Sequence, residues 1–437
     1  MRKLPQLLIA APTSGAGKTT VSRGLMALLT AKGFRVQPFK CGPDYIDTKF
    51  HAQVCHRHSY NLDTFMASHN HVRQLYAQKA QEADACIVEG MMGMFDGYDR
   101  DKGSCAEISS MLGLPVVLVV NAQSAAYSMA PLLDGFIHFK ENVKVAGVIF
   151  NKVGSERHFA MLQQVCDDLQ LRCFGYLPKR QSLEQTSRYL GLDFSKMSQE
   201  DELAYLIDEY VDWQGLMEAT SLPLAESPSV EKRLHEPIHT LVARSDDSFS
   251  FIYAEHLDML HRLGKVSFFN PEEEMEIPTD IDLLYLPGGY PEKHAEALVK
   301  SAKTRESVRK YIEQGGKALA ECGGMIYLSQ GIVSDEGSFE MAGVLPFSIS
   351  MRKQDRKLSL GYRQFCYNGQ PLRGHEFHYT QFVPMKDMPE SAIQVYDAKG
   401  NEVPTPVFRY KNLISSYTHL YLGETDIMKL FRNNRYE

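Results

Sequence analysis

The feature that most constrains this chain is a run of small residues near its N-terminus. Residues 7–20 read Leu-Leu-Ile-Ala-Ala-Pro-Thr-Ser-Gly-Ala-Gly-Lys-Thr-Thr. The apolar residues at 7–10 predict a short buried strand, and apolar residues recur at helical spacing from Val21 to Leu29. A strand, a small-residue loop and a helix in this order point several backbone N–H groups at one spot, where the helix dipole adds about half a positive charge. The sequence therefore predicts a site for a phosphate group.

The loop residues indicate a nucleotide. Lys18 is predicted to reach the terminal phosphates and the Thr19 hydroxyl to coordinate Mg²⁺. The predicted nucleotide-binding residues of the loop are Ser14, Gly15, Ala16, Gly17, Lys18, Thr19 and Thr20. Position 12 is Pro where the standard phosphate loop has Gly, and position 13 is Thr rather than the second Lys of dimeric partition-type ATPases. The alternative is an ordinary glycine-rich turn between a strand and a helix.

Length and charge limit the class of protein. At 437 residues the chain is too long for one hydrophobic core, which predicts two domains and at most three. A formal charge of −7 without a basic stretch argues against nucleic acid as a main partner. The apolar runs are too short to span a bilayer, and no signal-peptide pattern opens the chain. We therefore expect a cytoplasmic protein without membrane contact.

The cysteines and histidines do not indicate a metal centre. The eight cysteines are scattered along the chain and are predicted to be free thiols. Cys55 lies close to His51, His56 and His58, but no second pair of ligands follows nearby. We interpret this segment as a loop that contains histidines.

Apolar runs alternate with helical patterns over residues 1–200 and predict a doubly wound α/β domain with a parallel sheet. The predicted strands cover residues 7–10, 35–39, 85–88, 115–121, 145–151 and 172–176. Uniformly apolar strands are typical of a sheet covered on both faces. A helix is predicted at 200–214 and a proline-containing charged linker at 215–238, so we expect domains at 1–214 and 239–437.

Polar residues follow several of these strands, at the edge where ligands bind in open α/β sheets. Asp44 and Asp47, after the second strand, are interpreted as Mg²⁺ ligands and substrate contacts, or as solvated turn formers. Glu89 follows the third strand and is predicted to be the second source of Mg²⁺ coordination. Asp96 either contacts substrate or begins a turn. Asn151 either hydrogen-bonds the edge of adenine or caps its strand.

The α/β alternation restarts after the linker, with strands predicted at 240–244, 265–269, 283–286 and 317–320. Cys322 follows the last of them in a Glu-Cys-Gly-Gly-Met turn that leads into a helix. This order is typical of a nucleophile elbow, which exposes the sulfur at a helix N-terminus whose dipole favours the thiolate. We predict that His419, after an apolar run near the C-terminus, is its base. The alternatives are a small core residue at 322 and a core histidine at 419.

The two halves together resemble a known family. The second half is similar to class I glutamine amidotransferase domains, through Pro-Gly-Gly at 287–289, Glu-Cys-Gly-Gly at 321–324 and the late His419. The first half resembles a dethiobiotin-synthetase-like ATP domain. Over nearly the whole chain the motifs resemble the cobyrinic acid a,c-diamide synthase family. The segments that carry this likeness are residues 40–47, 89–90, 95–97, 151–158, 286–292 and 374–379.

The resemblance implies a glutaminase reaction in the second half. Cys322 would attack the side-chain amide of glutamine, with His419 as base and then as acid to the departing ammonia. The backbone N–H groups of Gly289 and Gly323 would hold the oxyanion. Other triad amidotransferases carry Glu two residues after this His, whereas this chain has Tyr421. We therefore expect a Cys–His dyad.

The resemblance also implies an ATP-driven amidation in the first half. ATP and Mg²⁺, held by Lys18, Thr19, Asp44 and Glu89, would phosphorylate a substrate carboxylate, because a carboxylate does not react with ammonia unaided. The acyl phosphate would then collapse to an amide. Tyr45, Asp47 and Asp96 would orient the substrate.

The implied substrate is cobyrinate, amidated at its a and c side chains. The alternatives are the same reaction on hydrogenobyrinate or nickel-sirohydrochlorin, and cobyric acid synthase, against which residues 42–47 and 155–158 argue. The non-enzymatic alternative is a partition or scaffold ATPase. A homo-oligomer is compatible with the sequence.

Overall fold

The computed structural model describes residues 2–179, 198–226 and 236–432, and the chain divides into two compact units. The first unit comprises Met1–Thr64 with Ser68–Val230, and the second comprises Phe65–Ala67 with Glu231–Glu437. Among the described residues, no helix has the length and apolar character needed to cross a membrane.

In its described residues the first unit has one eight-stranded sheet. Its strands are β1 (Lys3–Ala10), β2 (Val36–Cys41), β3 (Tyr60–Leu62), β4 (Ala85–Glu89), β5 (Val116–Asn121), β6 (Val145–Val153), β7 (Cys173–Pro178) and β8 (Ser221–Pro223). Seven strands lie in the order β3-β2-β4-β1-β5-β6-β7 with parallel pairing, and β8 pairs antiparallel with the start of β1. Every residue of β2 and β4 is buried, as expected for strands covered on both faces.

Helices connect these strands. They are α1 (Lys18–Ala31), α2 (Ile46–Cys55), α3 (His69–Ala80), α4 (Cys105–Leu112), α5 (Met129–His138), α6 (Glu156–Asp168), α7 (Ser198–Tyr210) and α8 (Trp213–Ala219). The chain leaves β1 toward β2 on one side and leaves β4 toward β5 on the other, so the loops after β1 and β4 share a crevice at the carboxyl edge of the sheet. The predicted doubly wound domain is confirmed.

The predicted helix at 200–214 is present as α7 as far as Tyr210, but residues 213 and 214 belong to a second helix, α8. Asp212 separates α7 from α8: its Oδ1 accepts a hydrogen bond from the Gly215 N–H at 2.9 Å and caps the second helix. The predicted start of the linker at 215 also fails, since Gly215 lies inside α8 and β8 pairs with β1.

The part of the second unit that the structure describes has a six-stranded sheet and two smaller ones. The strands of the large sheet are β9 (Ile238–Ala243), β10 (Gly264–Phe269), β11 (Leu283–Leu286), β12 (Ala318–Glu321), β21 (Val407–Tyr410) and β22 (Leu413–Ser416), in the order β10-β9-β11-β12-β22-β21. Its first five strands are parallel, and β21 is antiparallel to β22. The helices are α9 (Ala254–Leu263), α10 (Ala295–Lys300), α11 (Ala302–Glu313) and α12 (Gly323–Leu328).

The strands of the two smaller sheets come largely from the part of the chain between Cys322 and His419. One has the order β14-β13-β15-β18 and the other β20-β19-β16-β17-β23. Their strands are β13 (Gly331–Val333), β14 (Ser338–Glu340), β15 (Ser348–Ser350), β16 (Ser359–Tyr367), β17 (Gln370–His378), β18 (Gln381–Phe382), β19 (Val395–Tyr396), β20 (Glu402–Val403) and β23 (His419–Leu420). The pairing of β17 with β23 sets His375 opposite His419.

Candidate active sites

The phosphate loop of the first unit has the backbone that its glycines permit. Gly15 and Gly17 have φ of +75° and +111°, in the left-handed region that favours glycine, and α1 begins directly after Gly17. Lys18 is buried, and its Nζ donates to the Met92 carbonyl at 2.5 Å. The loop after β4 therefore holds the lysine at the carboxyl edge of the sheet.

Asn151 fixes this loop. Its Nδ2 donates to the Ala16 carbonyl at 2.9 Å, and its Oδ1 accepts from the Lys152 N–H at 2.9 Å. A Cβ on Gly17 would lie 2.0 Å from the same Nδ2, so only glycine fits there. These bonds agree with the strand-end role. They use one of the two N–H groups and one of the two lone pairs of the amide, so the contact with adenine stays a prediction.

Glu89 is the centre of a buried polar cluster at the end of β4. Its Oε1 accepts from Thr19 Oγ1 at 2.7 Å and from Lys40 Nζ at 2.8 Å, and its Oε2 lies 2.8 Å from His51 Nε2. Lys40 also donates to Asp47 at 2.5 Å. The structure thus joins three predicted residues, Thr19, Asp47 and Glu89, to two that the sequence analysis left without a role.

The charges of this cluster stabilise one another. Burial opposes ionisation of Glu89, but Lys40 and His51 outweigh it and hold the pKa of the carboxyl well below its ordinary value. Burial likewise opposes the charge on Lys40, and the carboxylates of Glu89 and Asp47 raise its pKa above the ordinary range. An ionised carboxylate beside a threonine hydroxyl is a pair of hard oxygen donors.

The remaining predicted residues of the first unit make local contacts. Asp44 Oδ1 accepts from the N–H groups of Ile46 and Asp47, both at 2.9 Å, and so caps α2. Asp96 Oδ2 accepts from the Gly93 N–H at 3.0 Å, which is the turn-forming alternative. Tyr45 is 7% exposed. These contacts support structural roles more directly than the predicted metal and substrate roles of Asp44, Asp96 and Tyr45.

The interpretation of His51 as a loop residue is wrong. It lies in α2 and is buried, with Nδ1 3.1 Å from Ser59 Oγ and Nε2 on Glu89. Among the described residues, no group of three or more His, Cys, Asp or Glu side chains has the arrangement of a metal site. A lysine at the end of a wholly buried strand was the sequence signal for this cluster, because Lys40 is not tolerated there without an anion.

Cys322 forms the predicted elbow. It lies between β12 and α12 with φ of +44°, a conformation that L residues rarely adopt, and its N–H donates to the Ser416 carbonyl at 2.8 Å. The prediction that the elbow exposes the sulfur is wrong, since Cys322 is 4% exposed. It instead lines a cavity of ≈ 30 Å³ together with Gly289, Glu292 and His378.

The N–H of Gly323 at the start of α12 favours the thiolate, in the predicted direction, but other effects outweigh it. Burial raises the pKa of the Cys322 thiol well above its ordinary value, and the charge of Glu292 adds to the increase. The Gly323 N–H opposes this effect, but α12 has only six residues and its dipole is correspondingly weak. Burial raises the pKa of Glu292 itself to about 7.

The Pro-Gly-Gly loop connects the elbow to the predicted base. A Cβ on Gly323 would lie 2.9 Å from the Gly289 nitrogen, so the two predicted oxyanion residues approach closely. A Cβ on Gly288 would lie 2.1 Å from Cε1 of His419, so this imidazole packs directly on the same loop. The loop therefore contacts both the residue after Cys322 and the ring of His419.

His419 is a neutral imidazole in a buried setting. Its ring stacks on that of His375, with centroids 4.9 Å apart and an angle of 18° between the planes. Burial, together with His375 and His378, lowers the pKa of His419 well below its ordinary value, and a neutral imidazole is the form that accepts a proton. Tyr421, at the position of the missing acid, donates to the carboxylate of Glu255.

A second buried network borders the Cys322 cavity, and the sequence analysis assigned it no role. Glu376 on β17 accepts from Arg363 Nε at 2.6 Å and lies 2.7 Å from His378 Nε2. The His378 ring stacks on Tyr417 with centroids 3.6 Å apart. The sequence signal for this network was the alternation of side chains along β17, which directs residues 376 and 378 to the same face of the strand.

Two family models match the chain. Residues 240–427 match the CobB/CobQ-like glutamine amidotransferase domain, and residues 7–190 match the CobQ/CobB/MinD/ParA nucleotide binding domain. Together they cover both units in which the candidate sites lie.

Curated relatives are similar over nearly their whole length. A protein of Caldanaerobacter subterraneus subsp. tengcongensis named cobyrinate a,c-diamide synthase is 36% identical, over 95% of this chain and 94% of that protein. A protein of Priestia megaterium with the same name is 37% identical, over 97% and 95%. A protein of Brucella anthropi named hydrogenobyrinate a,c-diamide synthase is 36% identical, over 95% and 99%.

Proposed function

This chain belongs to the cobyrinate a,c-diamide synthase family, and we propose that it amidates the a and c side-chain carboxylates of cobyrinate with ammonia from glutamine in a reaction driven by ATP. The observation that carries the proposal is that each unit has one part of the required machinery. The first unit has the phosphate loop with the Thr19–Glu89 pair, and the second has the Cys322 elbow beside the Pro-Gly-Gly loop.

In the second unit, Cys322 is the proposed nucleophile toward the glutamine amide. A thioester bond forms, the carbon–nitrogen bond breaks, and ammonia leaves with the proton that His419 took from the thiol. The N–H groups of Gly289 and Gly323 would hold the oxyanion, which their close approach supports. Water then hydrolyses the thioester and restores the thiol.

In the first unit, Lys18 and the phosphate-loop N–H groups would hold ATP while a substrate carboxylate attacks the γ-phosphoryl group, the bond to the β-phosphate breaks and ADP leaves. The acyl phosphate then reacts with ammonia, and phosphate leaves. Lys40, whose charge is neutralised by Asp47 and Glu89, fixes both carboxylates at this edge. Asp47 keeps its proposed role in substrate orientation through that lysine.

The residues present fit Mg²⁺. Thr19 Oγ1 and Glu89 Oε1 lie 2.7 Å apart, and both are oxygen atoms of the kind that Mg²⁺ takes as ligands. In nucleotide sites, phosphate oxygens and water complete the coordination shell of the ion. The ion, when bound, neutralises phosphate charge. Asp44 would contribute only through Oδ2, because Oδ1 caps α2.

The test is an assay of the purified protein with glutamine and ATP against cobyrinate, its a,c-diamide, hydrogenobyrinate and nickel-sirohydrochlorin. We expect the diamide of cobyrinate, with release of glutamate and ADP. Diamide formation on another ring would reassign the substrate. Amidation only of a ring that already carries both amides would indicate cobyric acid synthase, and ATP hydrolysis without glutaminase activity would indicate a scaffold ATPase.

A further inference from the structure

The side chain of His378 is locked between two hydrogen-bond acceptors. Its Nδ1 lies 2.8 Å from the Thr380 carbonyl oxygen, and its Nε2 lies 2.7 Å from Glu376 Oε1. A carbonyl oxygen only accepts, so Nδ1 carries a proton. Whether Nε2 also carries one depends on the state of Glu376.

Glu376 is held as a carboxylate. Its Oε2 accepts from Arg363 Nε at 2.6 Å and from Thr405 Oγ1 at 2.5 Å. Burial opposes ionisation, but the bonds from His378 and Thr405 and the charge of Arg363 bring its pKa to about 2. An ionised carboxylate only accepts, so Nε2 of His378 donates as well.

We infer that His378, which donates from both ring nitrogens, is an imidazolium in the lining of the Cys322 cavity, and that its charge stabilises the anions formed there: the thiolate and the oxyanion of the thioester-forming step. The inference rests on the proposed glutaminase function. Two cations, Arg363 and His378, share the one carboxylate of Glu376, which leaves a net positive charge on this network. The ring lies flat on Tyr417, at 3.6 Å and 11°, a favourable contact for a cation.

The charge of His378 favours the thiolate of Cys322, whose formation the surroundings of the elbow otherwise oppose. Glu292, Glu376 and Glu321 all raise the pKa of the Cys322 thiol, and burial raises it further. A cation in the lining of the same cavity compensates for part of this cost when the thiolate forms. Because both nitrogens of His378 are engaged, it is a positioning residue that acts through charge, and proton transfer is left to His419.

The test measures the reactivity of Cys322 directly. Alkylation by iodoacetamide is followed between pH 5 and 10 by mass spectrometry of the peptide that contains Cys322, in the full chain and its variants. In His378→Gln we expect the pH midpoint to rise by about one unit, which corresponds to an approximately tenfold slower reaction at neutral pH. His378→Lys, which keeps the charge, should retain the wild-type midpoint. His261→Gln, at an exposed position on α9, is the control.

Each outcome decides the inference. Equal midpoints in wild type and His378→Gln overturn it, and so does a shift in His378→Lys as large as that in His378→Gln, which indicates a packing role. The far-UV circular dichroism spectrum of each variant guards against a folding defect at 378: the midpoints are compared between variants whose spectra match that of wild type. Alkylation needs no turnover, so a wild-type protein with the predicted midpoints but no glutaminase activity refutes the proposed function alone.

Discussion

Lys40 and Glu89 form an ion pair that solvent does not reach, with Nζ 2.8 Å from Oε1 and both side chains 0% exposed. The parallel pairing of β2 with β4 sets these two residues side by side. A pair buried this deeply is costly to break on one side only, because the remaining charge has lost its partner. The stability of the first unit and its proposed chemistry therefore depend on the same contact.

Replacing Lys40 should destabilise the protein strongly. We expect Lys40→Met to lower the free energy of unfolding by about 3–5 kcal/mol, because Glu89 and Asp47 are left buried without their cation. Urea denaturation followed by far-UV circular dichroism measures the change. Lys40→Met combined with Glu89→Gln should recover part of it, and Lys144→Met, at an exposed position, should have little effect. A double variant no more stable than the single one would contradict this account.

Lys18→Ala should stop amide formation from glutamine and from added ammonium salts alike, because both nitrogen sources need the same activated carboxylate. Glutamine hydrolysis should persist, since Lys18 belongs to the first unit. Product formation and glutamate release are measured on the same samples. Lys32→Ala, one residue beyond the end of α1, is the matched control. Normal turnover in Lys18→Ala would remove the phosphate-loop assignment.

Cys322→Ser should abolish glutamine-dependent synthesis and leave synthesis from ammonium salts. The hydroxyl is a far weaker nucleophile than the thiolate in a site built for sulfur, whereas free ammonia bypasses the step. Cys366→Ser, at an exposed cysteine, should retain both activities. Loss of both activities in Cys322→Ser, with an unchanged circular dichroism spectrum, would show that the two sites are not separable.

Glu292→Gln should make Cys322 more reactive above neutral pH. The charge of Glu292 raises the pKa of the thiol, and this charge is present only as the pH rises through the Glu292 pKa of about 7. The iodoacetamide rates of wild type and variant should therefore agree at pH 6 and diverge at pH 8, with the variant faster. Glu296→Gln on α10 is exposed and should match wild type. Slower alkylation of Cys322 in Glu292→Gln than in wild type at pH 8 would contradict the proposed effect of the Glu292 charge on the thiol pKa.

Glu321→Gln should stabilise the protein in alkaline solution. Burial raises the pKa of Glu321 to about 8, while Tyr285 and the Leu420 N–H bond its oxygens. Its stabilising contribution is full below the unfolded-state pKa and is lost as the pH rises through about 8. The free energy of unfolding of the variant should equal that of wild type near pH 4. At pH 9 it should be higher by about a few kcal/mol at most, the order of magnitude that the pKa shift of Glu321 implies. Thermal denaturation at both values measures this, with Glu306→Gln as control; a constant difference across pH would contradict it.

Local patterns predicted a large part of this architecture. The strand and glycine loop ahead of α1, the strand at 283–286 and the turn around Cys322 are present because each depends on neighbours within a few residues. The end of the predicted helix at 200–214 was misplaced, because α7 ends at Tyr210 and Asp212 caps a new helix, α8. The spacing of apolar residues does not indicate where one helix ends and the next begins.

The contacts that decide the sites involve residues far apart in the chain. Glu89 bonds residues 38, 49 and 70 positions away, and Asn151 bonds the Ala16 carbonyl 135 positions away. No local pattern reports which strand will lie beside which. Lys40 was visible as a lysine in a buried strand, but its partners required the sheet order.

The sequence by itself determined the two α/β units, the phosphate loop and the cysteine elbow, because backbone geometry follows from short-range spacing and from glycine. Only the tertiary structure decided which groups carry charge: a neutral His419, a doubly donating His378, a thiol whose ionisation burial opposes, and a lysine held by two acids. The physical reason is that ionisation responds to solvent exclusion and to charges within a few ångströms, and those neighbours are assembled by folding.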